Sequence, residues 1–447
     1  MTEPLCFLTI NIGFDMQKPI FHSFVLWIVL TTALARGQEA LSLDEAVRLA
    51  LLNNPSVAKA RGEIESAAGI VLMAGAIPSP ELGFSWNEIP SNFSPAGFGE
   101  RSIGFSQAVE FPGKRHSRKR AAGWDLQIRK EALRRSEMRV TAGVRRAYYT
   151  ALSKRELVAH AGEALNLLRQ FQRIAEIRYE TGSVPYLDIL RVKMENSRME
   201  NRILDLKRDQ NRVLSDLSRL LFLPDSVAFI LKDGLSFQPF DQSLEETTAR
   251  LSSDRPSVKI AEAETERGRA LTSLARKSWL PDFSLGLYNQ TLRERPPYNA
   301  NNFYGTTVWN NWEFDLGISI PLWFWRRQKG EITVARSAER IAEISRLEVR
   351  RNLTASIRNA VETVKTTGAQ VLKFRHSLLK DAEDALRTVQ SLYQNGQMDV
   401  FNLLDVYRTC LETKSEYVTA LCRYNVALAD LEISGEEFPN PGGQNED

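Results

Sequence analysis

The 447-residue sequence has only three cysteines and four histidines, and its formal net charge is +3. So few thiol and imidazole groups leave little material for a metal-rich centre. The near-neutral balance excludes the broad positive field that nucleic-acid binding requires. Cys6 falls in the N-terminal leader. Cys410 and Cys422 share one predicted helix, about 18 Å apart along its axis, too far for a disulfide. They read as small buried apolar residues. His116, His160 and His376 lie on separate helical stretches without ligand spacing, and Met73, Met138, Met194, Met199 and Met398 are dispersed. No metal site, soft-metal relay or cofactor is assigned. No nucleophile–base pair, phosphate loop or paired carboxylates stand out, which points away from an enzyme. Beyond the leader no run of about 18 apolar residues remains, so no membrane-spanning helix is expected.

Residues 1–40 read as a signal peptide and leader. Lys18 precedes an apolar stretch from Ile20 to Leu34 and the small-x-small run Ala33-Leu34-Ala35. The residues before Met16 carry Glu3 and Asp15 and no base, which suggests Met16 as the true start. An exported chain without a spanning helix is periplasmic, secreted or part of a β-barrel.

The remainder repeats itself. Ser42-Leu43-x-Glu45 matches Ser243-Leu244-x-Glu246, Pro55-Ser56-Val57 matches Pro256-Ser257-Val258, and Pro80 matches Pro281. Further on, Gly104-Phe105-Ser106 matches Gly317-Ile318-Ser319, Tyr179-x-x-Gly182 matches Tyr393-x-x-Gly396, and Asn211-x-x-Leu214-x-Asp216-Leu217 matches Asn425-x-x-Leu428-x-Asp430-Leu431. This gives a first repeat over 41–222, a linker over 223–242, a second repeat over 243–434 and a tail over 435–447.

Each repeat predicts two helices (Leu43–Asn53 and Pro55–Ala76; Leu244–Ser252 and Pro256–Ser278), with Pro55 and Pro256 in a first helical turn. Two strands follow, at about 82–89 and 101–111 in one repeat and 283–291 and 312–322 in the other. Trp312, Phe314, Leu316, Ile318, Ile320 and Leu322 alternate with smaller or polar residues, which puts the large apolar groups on one face. Such a face could cover a soluble core. Strands of about ten residues also fit a tilted membrane crossing, with Trp312, Trp323 and Trp325 as an interfacial girdle. The loops 87–100 and 293–311 would be the exposed ends.

Long helices complete each repeat. No proline interrupts Ser117 to Glu180, a span of roughly 90 Å as a helix. Leu133, Val140, Ala147, Lys154, Ala161, Leu168 and Ala175 recur every seven residues beside Val144, Ala151, Val158 and Leu165, an apolar seam. Leu404, Leu411, Val418 and Asn425 repeat it beside Tyr407, Leu421 and Leu428. Tyr186–Leu221 and a helix from about Lys329 to Tyr393 make two hairpins, with tips near Gly182 and Gly396. Four strands cannot close a spanning barrel, whose lower limit is about eight, and open edges in lipid are prohibitively costly. Identical subunits must therefore share the barrel. Three would give twelve strands above a hollow helical cylinder, whose obvious use is conduction.

The opening Leu41-Ser42-Leu43-Asp44-Glu45-Ala46-Val47 with Asn53-Asn54-Pro55, the junction Phe105-Ser106-Gln107-x-x-Glu110-Phe111-Pro112-Gly113-Lys114-Arg115, and Ser319-Ile320-Pro321-Leu322 before Arg326-Arg327-Gln328-Lys329-Gly330 resemble the TolC-type outer membrane factor family. The two junctions resemble its CzcC/CusC-like heavy-metal efflux branch. The resemblance covers nearly all of the chain after the leader. It implies a mainly helical, internally duplicated fold: a homotrimer whose twelve-stranded barrel stands in outer-membrane lipid and continues as a periplasmic coiled-coil tunnel. It also implies a periplasmic adaptor (membrane fusion) protein and an inner-membrane pump, often of the resistance–nodulation–division class. The chain would be a passive exit duct for heavy-metal cations, or, in the same architecture, for organic toxins or exported protein.

The resemblance further implies that the helix tips close the tunnel. Tyr393 and Gly396 match the family's tip pattern, Asp405 takes the second of its two aspartate positions and Asn402 the first. Asp188 occupies the corresponding place in the first hairpin. In the family a tyrosine and an arginine bond across to this region, so a Tyr393–Asp188 latch is expected, with Met398 where the arginine would be. Gly182, Ser183, Val184, Gly396 and Gln397 are the expected adaptor contacts. The basic run Lys114, Arg115, His116, Arg118, Lys119 and Arg120 reads as a solvated helix start. A periplasmic coiled-coil adaptor would explain the helices but not the duplicated strand pairs. The barrel reading predicts extraction only by detergent and a heat-modifiable trimer on gels, whereas the adaptor reading predicts release in aqueous buffer.

Overall fold

The computed structural model describes residues 40–87, 99–224, 229–294, 307–320 and 324–436. The leader with Cys6 and Met16, and Pro321, Leu322 and Trp323, lie outside these. The first repeat runs β1 (Ala40–Leu41), α1 (Leu43–Asn53), α2 (Pro55–Gly75), β2 (Glu81–Asn87), β3 (Glu100–Val109), α3 (Lys114–Glu180) and α4 (Tyr186–Leu221). After β4 (Ile230–Leu231), the second runs α5 (Leu244–Ser253), α6 (Pro256–Ala275), β5 (Asp282–Glu294), β6 (Thr307–Ser319), α7 (Phe324–Lys373), a π-helical turn (Phe374–Leu378), α8 (Leu379–Gln394) and α9 (Val400–Ile433). Among the described residues no helix is long and apolar enough to cross a membrane.

The duplication is visible in the hydrogen bonds. Ser42 and Ser243 each cap their helix in a reciprocal box, with Glu45 and Glu246 returning a carboxylate to the cap backbone. Pro55 and Pro256 each open the next helix, where a missing N–H costs nothing. In the sheet, Gly83 pairs with Gly104 and Ser284 with Gly317. The partners therefore sit 201 residues (83 to 284) and 213 residues (104 to 317) after their counterparts. At the tips the spacing is 214 (Tyr179 to Tyr393). The π turn, found in the second repeat's long helix and absent from α3, supplies the extra residue.

The four long strands form one antiparallel sheet in the order β2-β3-β5-β6. The repeats meet at β3 and β5, so β2 and β6 are its open edges. Leu82, Phe84, Trp86, Trp312, Phe314, Leu316 and Ile318 all lie exposed on one face, so that face covers no core among the described residues. On the other face Tyr288 lies over Gly104 and Gly286. A Cβ at Gly104 would come within 2.5 Å of the Leu287 carbonyl oxygen.

Three expectations are corrected. Trp312 does not sit at a strand end but midway along β6, opposite Asn289. The apolar alternation lapses at Asn310, yet the backbone pairs from Thr307 onward. The expected loop 293–311 is strand at both ends, because β5 reaches Glu294 and β6 begins at Thr307; residues 295–306 lie outside the described residues. The basic run after β3 is not merely solvated. Lys114 is buried, and its Nζ donates to both Asp282 carboxylate oxygens at 3.0 Å and to the Leu280 carbonyl at 2.7 Å. Arg118 pairs in a fork with Glu110 at 2.7 and 2.9 Å. Gly113, at φ +95°, turns the chain between them. The motif that carries the family resemblance thus locks the first repeat's strand-to-helix corner onto the start of β5.

The longest helix, α3, has 67 residues and reaches about 100 Å. Ala161, Leu165, Leu168 and Ala175 of its seam are buried, as are Leu404, Tyr407, Leu411, Val418 and Leu421 on α9. Cys410 is buried and Cys422 half-buried on α9. Between the repeats, residues read as a linker hold β4, which pairs in parallel with β1. Tyr148 on α3 donates to the Leu41 carbonyl and Asp233 at 2.8 Å, tying this belt to the hairpin.

Gly104→Val is expected to destabilise the sheet by about 1–3 kcal/mol through overpacking, because the clash includes β5 backbone. The check is the fraction of chain that assembles as a folded, protease-resistant species, with Gly83→Val, whose Cβ meets nothing, staying near wild type.

Candidate functional site

The two hairpin turns are built alike. At the end of α3, Ser183 N donates to Arg178 O at 2.8 Å and Gly182 N to Tyr179 O at 2.9 Å, with Gly182 at φ +72°. At the end of α8, Gln397 N donates to Leu392 O at 2.9 Å and Gly396 N to Tyr393 O at 3.1 Å, with Gly396 at φ +79°. This pattern satisfies the last helical carbonyls and needs a left-handed residue, which glycine supplies without a Cβ penalty. Asp399 then caps α9 by accepting from Asn402 N at 2.9 Å. Gly182, Ser183, Gly396 and Gln397 are exposed and Val184 is half-buried.

Below the turns the hairpins share one apolar core, including Phe171, Val192, Tyr393, Val400, Leu403 and Tyr407. Phe171 meets Tyr407 edge to face at 6.2 Å. Around the rim, Tyr179, Tyr186, Leu187 and Phe401 stay exposed, with Tyr179 and Tyr186 in ring contact at 5.6 Å. In the sequence Tyr179 stands out through its match to Tyr393, whereas nothing distinguishes Tyr186, Leu187 and Phe401 from ordinary surface residues.

The expected site residues separate into two groups. Asp188 and Tyr393 are buried in the seam between the hairpins, while Asn402 and Asp405 are exposed on α9. The expected latch is not formed. Tyr393 is fully buried, and its hydroxyl has no hydrogen-bond partner among the described residues. Asp188 pairs instead with Arg191, one turn along its own helix, at 3.5 Å. The crossing contact runs the other way. Arg178 of the first hairpin donates to the Tyr393 carbonyl at 2.9 Å, and its guanidinium lies 5.0 Å from the centre of the Tyr393 ring. An arginine does bridge the seam, then, but from α3 rather than from the position of Met398. Burial pushes the Tyr393 phenol up, against the opposing pull of Arg178. Burial also raises the Asp188 carboxyl; Arg191 counters this and the nearby Asp399 charge adds to it.

A second bridge lies a few turns higher. Arg408 on α9 grips buried Glu195 on α4 at 3.0 and 2.5 Å. That hydrogen bonding holds the Glu195 carboxyl below the usual range despite its burial. Neither residue was singled out in the sequence, since only the folded seam brings them together. Asp405 lies near Arg408, whose charge it supports.

At the tips, Tyr393→Phe is expected to leave the seam between the hairpins unchanged, because it removes a buried hydroxyl with no hydrogen-bond partner among the described residues. Arg178→Ala is expected to loosen them, read as increased protease cleavage at 181–185 and 395–399. Glu195→Gln should weaken the seam by about 1–3 kcal/mol. The Glu195 carboxyl is depressed in the fold, so its contribution is complete above the unfolded value of about 4.3 and fades as pH falls through the lower folded value. The difference between wild type and Glu195→Gln should therefore disappear in acid; a difference that persists there would show that the charge is not what holds the seam.

A family model described as outer membrane efflux protein matches residues 46–221 and 249–433. Among curated relatives, the cobalt-zinc-cadmium resistance protein CzcC of Cupriavidus metallidurans is 22% identical over 85% of this chain and 86% of its own length. Among solved structures, the outer membrane protein VceC of Vibrio cholerae superposes with a TM-score of 0.71 at 19% identity, covering 88% of this chain and 97% of that one. CusC, solved in a study of folding and transmembrane channel formation, gives a TM-score of 0.71 at 18% identity over 88% and 92% of the two chains.

Proposed function

The chain belongs to the outer membrane efflux protein family, and from that premise we propose that three copies form one passive exit duct, whose cargo is heavy-metal cations. Each copy gives four strands to a twelve-stranded barrel in the outer membrane and two helical hairpins to a tunnel across the periplasm. A periplasmic adaptor meets the tips, and an inner-membrane pump of the resistance–nodulation–division class supplies the energy.

The observation that carries this reading is the sheet. Its outer face is exposed and apolar from Leu82 to Ile318, it has two open edges, and it is continuous with helices about 100 Å long. An apolar face suits lipid, and open edges demand partners there. The likeness to a cobalt-zinc-cadmium resistance protein over most of both chains supports metal cargo. So does exposed Asp405 on α9: three such carboxylates around a threefold axis would focus a negative potential on passing cations. Asn402 in place of a second acidic residue makes that ring weaker. Asp188 and Tyr393 shape the closed seam behind it. Gly182, Ser183, Val184, Gly396 and Gln397 face the adaptor, with Tyr186, Leu187 and Phe401 as the apolar rim it would cover.

A deletion strain tested against divalent metals, copper and silver ions and a panel of organic toxins is expected to become hypersensitive to metals alone. The wild-type gene should restore tolerance. Sensitivity to organics with unchanged metal tolerance would keep the duct and discard the metal cargo. In planar bilayers, Asp405→Asn should lower the preference for cations over anions with little change in assembly.

A further inference from the structure

We propose that Arg101 and Arg293, at the end of the sheet's apolar face farthest from the helices, form a binding site for the phosphate of a glycolipid in the outer leaflet of the membrane. This rests on the shared-barrel reading above, and it adds a lipid ligand and the residues that hold it.

Side chains alternate between the two faces of a strand, and residues directly opposite one another share a face. The register of the four long strands therefore sorts their charges. Five acids, Glu81, Glu100, Asp282, Glu313 and Asp315, fall on the face that carries Gly104 and Gly286. Arg101 and Arg293 are the two bases of these strands. Both fall on the other face, with Leu82, Phe84 and Phe105. None of the five acids shares that face. An arginine on a lipid-facing surface is costly at the midplane of the bilayer, and the cost falls close to nothing at its boundary. What the two arginines mean is therefore decided by how deep they lie.

The face is graded from one end to the other. The three rows nearest the helices are apolar save for Gln107, from Val109–Phe283–Ile318 to Phe105–Leu287–Phe314. The fourth row mixes Ile103 and Trp312 with Asn289. The fifth is Trp86–Arg101–Thr291–Asn310, and Arg293 lies in the sixth, opposite Val308. Arg101 thus stands eight residues beyond Val109 (109 to 101). That is about 27 Å along the strand, or about 20 Å of depth at the tilt of a barrel strand. The apolar band of such a barrel is about 25 Å tall. With the helices in the periplasm, Arg101 and Arg293 therefore stand at the outer boundary of the band, level with the headgroups of the outer leaflet. Exposed Trp86 beside Arg101 suits the same boundary.

The two arginines are diagonal neighbours on adjacent strands. Arg101 is directly opposite Thr291, and Arg293 follows two residues later. Such backbones are about 7–8 Å apart, within reach of long side chains. Arg101 Nε donates to Thr291 Oγ1 at 3.3 Å, which lays its guanidinium across β3 towards β5. Like charges at this spacing repel, and a phosphate between them turns the repulsion into attraction. Guanidinium groups bind phosphate oxygens in pairs, and the low dielectric beside the hydrocarbon strengthens the contact. The rows beneath complete the fit, because acyl chains attached to that phosphate would lie over Phe84, Ile103 and Phe105, all exposed. A free phosphate would use the arginines and leave these rows unused. In the outer leaflet of an outer membrane the phosphate-bearing lipid is a glycolipid, lipopolysaccharide, so the position of the arginines selects it over the glycerophospholipids of the inner leaflet.

The test uses trimers of the full chain, purified in detergent and stripped of lipid. The probe is lipopolysaccharide, in its native form and after enzymatic removal of its lipid phosphates. The native form should bind and raise the temperature at which the trimer dissociates. The dephosphorylated form should bind at least about tenfold more weakly, the loss expected for one charged hydrogen-bonded contact. Arg101→Gln with Arg293→Gln should weaken binding of the native form by about tenfold or more and erase the difference between the two forms. Arg101→Lys with Arg293→Lys should keep part of it. Arg208→Gln with Arg219→Gln removes the same charge from the exposed surface of α4 and should bind like wild type. Equal binding of the two forms, or a double glutamine variant that still distinguishes them, would overturn the site and leave the shared barrel standing. Phosphatidylglycerol vesicles that compete as well as the glycolipid, or inorganic phosphate that displaces it, would overturn the glycolipid as the ligand. A wild-type chain that never forms trimers would overturn the shared barrel and the site together.

Discussion

The unpaired edge of the sheet is the constraint on which the rest depends. A strand edge carries a row of backbone donors and acceptors, and in hydrocarbon each one left unpaired costs several kcal/mol. The described sheet has two such edges, β2 and β6, and a face of exposed Leu, Phe and Trp side chains that water would not favour. Neither defect can be repaired within the described residues, since all four long strands already lie in one sheet. Both would be repaired together if copies joined edge to edge in lipid, where the apolar face would have a solvent that suits it and the edges would cease to exist.

Duplication makes that repair economical. A chain with two similar halves has already solved the problem of joining one half to the next, at β3 and β5 and at the Lys114–Asp282 corner. The seam inside the chain and the uncovered face of α7 differ in chemistry. The internal one carries several ion pairs, each worth little on its own at a wet surface but able to fix which residues face each other. The outward face of α7 presents Val334, Ile341, Ile344 and Leu347 instead. Burial of these side chains would be non-directional.

Much of this was legible in the sequence because it is periodic. The helix starts, the turn glycines and the paired proline positions follow from local rules, and the topology follows from the repeat spacing. The losses have physical causes. The side-chain pattern starts β6 at Trp312 because Asn310 breaks the apolar alternation, whereas backbone pairing continues regardless of side chain. The π turn has no compositional mark, although the change of repeat spacing from 213 (104 to 317) to 214 (179 to 393) records its extra residue. The basic run looked like solvated helix surface because Asp282, which buries Lys114, lies far away in the chain. At the tips, the positions were legible and the bonding was not: Asp188 and Tyr393 do share the seam, but the bridging charge comes from Arg178.

That exchange bears on how the tips can move. A bond from a phenol to a carboxylate would tie two side chains, each free to swing away alone. Arg178 instead holds a backbone carbonyl within the last turn of α8 and lies against the ring of the same residue. Releasing it requires the end of α8 to shift as a unit, because the Tyr393 carbonyl also accepts from Gly396 N in the turn. Glu195 and Arg408 make the second tie, between the two hairpins' return helices. The apolar core beneath them is continuous across the hairpins, so the tips resist separation until both ties yield. Close-packed interiors switch between discrete arrangements rather than deforming smoothly. A seam held this way parts only when both ties are released, and the exposed side chains of Tyr186, Leu187 and Phe401 stand beside it.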